Sequence, residues 1–194
     1  VEKLRASGPD GEAAIAAADA ACGLSLGEYT ALAFAGAISF EDGVRITKAR
    51  GEAMQAASDA AQSGMVSVIG RDSDKVSELC AAAAEKTGEP IAIANYLCPG
   101  NYACSGSMSA VDAVVEMAKP EFKARMAVKL AVAGAFHTDF MAPAVPKLEA
   151  VLADVTVSTP RIPVISNVDA APHSDPDEIK SIAAEPWCFS FAIG

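Results

Sequence analysis

Ser25 lies between two glycines in the sequence Gly23-Leu24-Ser25-Leu26-Gly27, and this G-x-S-x-G pattern is typical of a nucleophile elbow. In such an elbow the chain turns sharply from a strand into a helix and exposes the serine hydroxyl at the turn. Both glycines are expected because a side chain at either position would clash where strand and helix nearly touch. The N-terminus of the helix would point backbone N–H groups at an anion that forms there. Ser25 is therefore a candidate nucleophile, in a pattern short enough to occur by chance.

A serine nucleophile needs a base, usually histidine, within hydrogen-bonding distance, and the chain has two histidines. His137 follows an apolar segment and a glycine and precedes a predicted helix, a position where α/β folds collect functional groups. Taken alone it could equally be a helix N-cap or a core residue. His173 lies in a polar, proline-containing turn and is interpreted as a solvated loop residue. The sequence therefore favours His137 as the base.

Arg50 shares one face of a predicted helix with Ile46 and Met54, because residues four apart lie above one another. Two interpretations are open. In the first, the arginine stem packs along the core and its head extends into water; spacing alone favours this one. In the second, the guanidinium binds a substrate carboxylate through two hydrogen bonds.

The composition restricts the possible classes. A chain of 194 residues with 52% hydrophobic content can bury one core, and none of its apolar runs has the roughly 18 residues of a membrane helix. The formal net charge of −10 argues against nucleic acid or an anionic membrane as a partner. Five cysteines without C-x-x-C spacing indicate free thiols, and neither a metal site nor a phosphate loop is recognisable. One basic cluster is interpreted as solvated surface or as a contact for an acidic partner: Lys119, Lys123, Arg125 and Lys129.

The elements that must position these residues follow from local signals. Residues 12–22 are alanine-rich and favour a helix by propensity, whereas the elbow needs a strand that ends near Cys22. One helix is predicted over residues 28–34 and ends at Gly36. A second is predicted over residues 40–61 and begins with a cap formed by Ser39 and Asp42. A helix is expected through about residue 152, a strand over 162–166, and a last helix beginning with Ser174 and Asp177.

The middle of the chain has the most regular pattern. It predicts strands over 65–69, 91–95, 102–105 and 126–132 and helices over 74–86 and 111–118. The order β-α-β-β-α-β is that of the split, ferredoxin-like motif. We therefore predict an α/β fold in which residues 63–132 form a small ferredoxin-like subdomain, and residues 1–62 and 133–194 form the core.

Four segments together resemble the malonyl-CoA:acyl carrier protein transacylases, in the order of that family and over about residues 1–184. They are residues 23–32 (Gly-Leu-Ser-Leu-Gly-Glu-Tyr-Thr-Ala-Leu), 48–55 (Lys-Ala-Arg-Gly-Glu-Ala-Met-Gln), 95–101 (Asn-Tyr-Leu-Cys-Pro-Gly-Asn) and 135–137 (Ala-Phe-His). The first and third look most like the plastid enzymes of plants and algae. The resemblance implies a hydrolase-like, parallel-sheet core that carries a ferredoxin-like small subdomain.

The resemblance also implies an activity: a malonyl group moves from malonyl-CoA to the phosphopantetheine thiol of acyl carrier protein through a malonyl-serine, for fatty acid synthesis, with no bound cofactor or metal. Ser25 matches the nucleophile, His137 the base, Arg50 the ligand of the malonyl carboxylate, and the N–H of Leu26 one oxyanion donor. Substrate contacts are also assigned to Met54 and Phe136. The aromatic ring of Phe136 is similar to the malonyl-selective form of the related polyketide acyltransferases.

Three departures from the family pattern are visible: the first, at Leu24, removes one polar contact and leaves the chemistry in place, whereas the other two lower the expected activity. Leu24 stands where the family usually has histidine, as in the plant-like group. The family's Gly-Gln-Gly segment, with the second oxyanion donor, and its glycine-rich C-terminal strand have no counterpart in the 194 residues, and residues 185–191 do not match. We expect a fragment of low activity, monomeric, from a plastid or otherwise from cytoplasm or mitochondrion. Two alternatives stay open: a serine esterase or thioesterase of the α/β-hydrolase type, with an acidic triad member, or an inactive fragment that binds carrier protein.

Overall fold

The computed structural model describes residues 1–184 of the chain. Its helices are α1 (Glu2–Arg5), α2 (Pro9–Ala16), α3 (Leu26–Phe34), α4 (Phe40–Asp59), α5 (Ser73–Thr87), α6 (Met108–Ala118), α7 (Val145–Ala153) and α8 (Pro176–Ala184), with a 3-10 helix at Asp139–Ala144. Its strands are β1 (Ala21–Cys22), β2 (Ser63–Ile69), β3 (Ile91–Cys98), β4 (Asn101–Ser107), β5 (Met126–Lys129), β6 (Val164–Ile165) and β7 (Pro172–His173). The fold is mixed α/β, as predicted.

The predicted β-α-β-β-α-β order is present in β2 to β5 with α5 and α6. The strands form an antiparallel sheet in the order β3-β4-β2-β5, in which Val66 is opposite Cys104 and Val68 opposite Ala127. Side chains alternate between the faces of a strand. Val66 and Val68 accordingly pack with α5 and α6, and Met65 packs in a second cluster with partly buried Phe136. That this stretch is a separate subdomain stays a prediction.

The second sheet contains β1, β6 and β7 and lies beside the elbow. β1 pairs with β6 in parallel, Ala21 opposite Val164, whereas β6 and β7 are antiparallel, Val164 opposite His173. The antiparallel pair differs from the expected parallel core because residues 166–171 are too few for a crossover between parallel strands. The conflict over residues 12–22 is also settled: α2 ends at Ala16, and β1 brings the chain to the elbow.

Helices α3 and α4 pack with α7 and α8 around a second buried core. Ile46 of α4 is fully buried there, with Leu32, Leu152 and Ile179 from the other helices. The Ser39 side chain accepts the Asp42 N–H at 2.9 Å, which confirms the predicted cap of α4.

Several expected boundaries differ from those of the structure. α4 ends at Asp59 rather than at 61, and β5 ends at Lys129 rather than at 132. The cap predicted at Ser174 is wrong, because Asp175 accepts the N–H groups of Asp177 and Glu178 at 3.0 and 2.9 Å. An aspartate one residue nearer to the helix supplies the same kind of acceptor.

The described residues also bear on the cysteines and on membranes. Cys22, Cys80, Cys98 and Cys104 are free thiols, whereas Cys188 lies outside the described range, as do the residues of 185–191 that were expected to depart from the family. From residue 1 to residue 184, every helix is too short or too polar to span a lipid bilayer.

Candidate active site

Ser25 is placed at a sharp turn between β1, which ends at Cys22, and α3, which begins at Leu26. Its backbone has φ 52° and ψ −111°. Positive φ is costly for a residue with a side chain and is the strained conformation of a nucleophile elbow. A Cβ at Gly23 would collide with the backbone of Gly27. The same expectation for Gly27 is wrong, because a Cβ there has open space among the described residues.

Asn167, which no sequence pattern singled out, holds the two sides of this turn together. Its Oδ1 accepts the Ser25 N–H at 2.7 Å, and its Nδ2 donates to the Gly23 carbonyl at 2.7 Å. The residue is buried and follows the end of β6 at Ile165. Its position after a strand end was the one available signal, because α/β folds place functional groups there.

Glu28, in the first turn of α3, lies beneath the elbow and was also missed. It is only 6% exposed, and its Oε2 accepts the Asn167 N–H at 3.2 Å. Burial raises the pKa of the Glu28 carboxyl, while hydrogen bonds from Asn167 and Ser166 act in the opposite direction. The Glu28 carboxyl thus holds the backbone of Asn167, and the side chain of Asn167 bridges the elbow.

Arg50 is hydrogen-bonded to the candidate nucleophile, Ser25. Its Nη2 donates to Ser25 Oγ at 3.0 Å, its guanidinium carbon is 6.0 Å from the centre of the Tyr29 ring, and the residue is only 8% exposed. The interpretation that the head extends into water is therefore wrong. Buried Ile46 and half-buried Met54 share its helix face, as the spacing predicted.

His137 is positioned by a short segment anchored to the start of β2. Gly134 approaches α4 closely, the Ala135 N–H donates to Ser63 Oγ at 3.0 Å, and Thr138 Oγ1 donates to the Ala135 carbonyl at 2.6 Å. His137 itself has φ 66°, a left-handed conformation that histidine adopts more readily than most residues. His137 thus lies two residues before the 3-10 helix at Asp139–Ala144.

The environment of His137 keeps its imidazole neutral. Burial, and secondly the positive charge of Arg50, lower the pKa of His137 from 6.5 to about 3. A neutral imidazole is the form that can accept a proton. Arg50 therefore joins the candidate residues: it contacts Ser25 by a hydrogen bond and acts on His137 through its charge.

The other residues assigned to substrate take different positions. Leu26 is 47% exposed at the first turn of α3, and within residues 1–184 its N–H donates no hydrogen bond. Phe136 is half-buried, with its ring centre 6.5 Å from that of His137. Leu24 is exposed at the elbow.

The interpretation of His173 as a solvated loop residue is wrong. It is 8% exposed in β7, with Nε2 at 2.9 Å from Asp169 Oδ2 and Nδ1 at 3.1 Å from Glu178 Oε2. Burial alone would lower the pKa of His173, but its hydrogen bonds to the two carboxylates outweigh that effect and raise it. The sequence around His173 is polar and therefore resembles a solvated loop. In the fold, however, Asp169 and Glu178 bind the imidazole.

The basic cluster is not brought to Ser25. Lys129 pairs with Asp112, and Lys123 Nζ donates to the Pro120 carbonyl at 2.7 Å, at the α6–β5 end of the small sheet. Among residues 1–184, no three His, Cys, Asp or Glu side chains come together closely enough to hold a metal ion.

Two cavities adjoin these elements. One of about 630 Å³ is lined by His137, Thr138 and Phe140 on one side and by β3 residues such as Ile93 on the other. Its volume is in the range of small-ligand sites. A larger one of about 870 Å³, between α1, α3 and α4, includes neither Ser25 nor His137. The smaller cavity is lined by His137 but by neither Ser25 nor Arg50, so His137 alone of these three residues borders it.

Comparison with known sequences gives a consistent result. The model of the acyl transferase domain matches residues 1–187. The malonyl CoA-acyl carrier protein transacylase of Bacillus subtilis is 38% identical over 162 residues, which are 84% of this chain and 50% of that protein. The mitochondrial transacylase of Homo sapiens is 38% identical over 172 residues, 86% of this chain and 44% of that protein. The chain thus spans about half the length of these relatives.

Solved structures agree with the fold. An acyl-carrier-protein S-malonyltransferase of Burkholderia pseudomallei has a TM-score of 0.85 at 33% identity, covering 97% of this chain and 58% of its own. A malonyl-transacylase in complex with a type II PKS acyl-carrier protein has a TM-score of 0.84 at 29% identity, covering 96% and 57%. These similarities confirm the predicted fold class.

Proposed function

Because the chain belongs to the acyl transferase domain family, we propose that it transfers a malonyl group from malonyl-CoA to the phosphopantetheine thiol of acyl carrier protein, through a malonyl-Ser25 intermediate. The observation that carries this proposal is the hydrogen bond of 3.0 Å from buried Arg50 to Ser25 Oγ. The relatives named as malonyl transacylases support it.

Arg50 supplies the selectivity for a malonyl group. The malonyl carboxylate is separated from the thioester carbonyl by a single methylene, so a cation that contacts the nucleophile is also near the carboxylate of a bound malonyl group. A guanidinium can bind a carboxylate through two parallel hydrogen bonds, with geometric specificity that an ammonium lacks. An acetyl group has no such partner for Arg50, so it should be a poor substrate.

The reaction divides into two acyl transfers. Ser25 Oγ attacks the malonyl thioester while His137 takes its proton; the C–S bond then breaks, and the coenzyme A thiolate receives that proton. In the second half the carrier thiol gives its proton to His137 and attacks the ester, and Ser25 recovers the proton as it leaves. The Leu26 N–H, at the N-terminus of α3, is available to the tetrahedral oxyanion. One well-placed donor contributes about 3–4 kcal/mol.

Malonyl binding would also strengthen the base. Arg50 contributes to the low pKa of His137, and a carboxylate paired with the guanidinium would offset that charge. The pKa of His137 should therefore rise when a malonyl group is bound. Proton removal from Ser25 would be favoured with the acidic substrate and disfavoured without it.

The remaining assignments follow from the same premise. Phe136, which packs beside His137, and Met54, on the helix face of Arg50, would shape the acyl pocket and disfavour branched acyl groups. Acyl carrier protein is the proposed partner, and the protein is proposed to act as a monomer without a bound cofactor. The resemblance of residues 23–32 and 95–101 to the plastid enzymes of plants supports a plastid location. A mitochondrial location is the alternative, because the relatives include mitochondrial proteins. A reporter fused to the complete coding sequence would test that location.

The decisive experiment is a single-turnover labelling of the chain with radiolabelled malonyl-CoA. Label should appear on Ser25 and be lost in Ser25→Ala. Arg50→Ala should lower malonyl labelling by at least about 100-fold, since it removes a charge-assisted bidentate contact of roughly 3 kcal/mol. Arg45→Ala is the matched control, because Arg45 is an exposed arginine of the same helix paired with Asp42 at 3.0 Å.

The alternatives predict other results. A serine esterase or thioesterase would prefer neutral acyl esters to malonyl-CoA in the wild-type chain as well as in Arg50→Ala. An inactive carrier-binding fragment would bind acyl carrier protein and acquire no label on Ser25. Either result would contradict the proposal.

A further inference from the structure

We propose that Asn167 is the positioning residue of the nucleophile elbow, holding Ser25 in its strained conformation from outside the turn. The role rests on the proposed function, because it matters to a reaction only if Ser25 is the nucleophile. Asn167 lies 142 residues from Ser25 in sequence and is 7% exposed. No sequence pattern connects the two residues.

The contacts of the carboxamide match the shape of the elbow. Its oxygen accepts the Ser25 N–H and its nitrogen donates to the Gly23 carbonyl, both at 2.7 Å. One planar group therefore spans the residue before the turn and the residue at its apex. The two contacts also fix which end of the amide is oxygen, since one neighbour is a donor and the other an acceptor.

An amide is the chemical group that such a clamp requires. Aspartate has nearly the same shape but, when ionised, only accepts, so it would place a charged oxygen against the Gly23 carbonyl. The backbone of Asn167 is held in turn by buried Glu28, 3.2 Å from the Asn167 nitrogen. β6, Asn167 and α3 therefore form a continuous support for the turn.

The clamp has a consequence for the oxyanion site. The Ser25 N–H is directed to Asn167 and is not free for substrate. The Leu26 N–H is then the donor at the helix N-terminus that can turn toward an oxyanion, and Asn167 fixes the direction of the peptide that precedes it. Loss of the clamp should lower the rate of acyl transfer to Ser25 and leave the contact of Arg50 with the malonyl carboxylate intact.

The test compares amide hydrogen exchange at Ser25 in the wild-type chain and three variants. Asn167→Ala, which removes two hydrogen bonds, should raise the exchange rate at Ser25 by about 10- to 100-fold. Asn167→Asp keeps an acceptor for the Ser25 N–H and loses the donor to the Gly23 carbonyl. The exchange rate at Ser25 in this variant should therefore lie between those of the wild-type chain and Asn167→Ala. Asn101→Ala is the control, because Asn101 accepts a hydrogen bond from Ser67 at 3.0 Å in the small sheet. The amide of fully buried Val66 reports whether each variant is folded.

The labelling assay adds a kinetic reading. Asn167→Ala should lower the rate of malonyl labelling by about 10- to 100-fold and leave the malonyl-CoA concentration for half-maximal rate unchanged. Unchanged Ser25 exchange in both Asn167 variants would overturn the assignment, as would equal losses in Asn101→Ala. If the wild-type chain acquires no label, the proposed function fails, and the exchange data still decide the role of Asn167.

Discussion

The two histidines should titrate on opposite sides of the ordinary value, and His137 gives the more informative measurement. Burial and the charge of Arg50 lower its pKa from 6.5 to about 3, whereas the pKa of His173 is raised by its carboxylate partners. His137 therefore stays neutral in the folded protein at a pH where it is protonated in the unfolded chain. Folding then becomes less favourable as the pH falls through 6.5 toward about 3.

The size of this effect follows from the two pKa values. A pH of about 5 is roughly one and a half units below the pKa of the imidazole in the unfolded chain. Each pKa unit corresponds to about 1.4 kcal/mol of free energy. The wild-type free energy of unfolding should therefore fall by about 2 kcal/mol relative to His137→Gln between about pH 7 and about pH 5. Arg50→Met should raise the pKa of His137 and leave it below 6.5, because burial is the larger cause.

Urea unfolding of wild type and His137→Gln at both pH values measures this difference. Imidazole NMR, with only two histidines to assign, reports each pKa directly. His173→Gln is the control, since it should change the pH dependence in the opposite direction. Parallel stability curves for wild type and His137→Gln, or an ordinary pKa at His137, would refute the reasoning about its burial.

Three further predictions concern the supports of the site. Gly23→Ala should abolish labelling of Ser25 in the malonyl assay because its Cβ meets the backbone of Gly27, whereas Gly27→Ala should be tolerated. Ser39→Ala should lower the free energy of unfolding by about 1 kcal/mol in urea titrations, because α4 loses its N-cap bond. His173→Gln should lower the free energy of unfolding at pH values below the ordinary histidine pKa. Unfolding followed by circular dichroism should show this loss of stability becoming smaller as the pH rises through the raised pKa of His173 in the folded chain.

Much of the fold could be predicted because its signals are local. The β-α-β-β-α-β stretch has caps, turns and alternating side chains that lie within a few residues of the elements they end. The elbow is likewise a five-residue pattern, confirmed in the conformation of Ser25. Sequence reasoning could not decide between two interpretations of Arg50, since helical spacing shows which face a residue shares but not what that face meets.

The errors arise where the neighbours are not local. Asn167 was missed because its partners, Gly23 and Ser25, come from the other end of the chain, and one asparagine after a short strand has no distinctive pattern. His173 was misjudged because a turn rich in polar residues resembles a solvated loop. Its burial depends on β6 and α8 closing over it, and only then do its acidic neighbours become partners.

Arg50 connects the two halves of the proposed chemistry and offers a reason why the site should favour transfer over hydrolysis. Without a malonyl group, its guanidinium is hydrogen-bonded to Ser25 Oγ and helps to keep His137 a weak base, with a pKa of about 3. Such a base would activate water poorly. A malonyl carboxylate would compete for the guanidinium, release the Ser25 hydroxyl and raise the pKa of His137 in the same event. On this reasoning, the charge of Arg50 that recognises the acyl group also sets when His137 can activate Ser25, so one residue links recognition to activation.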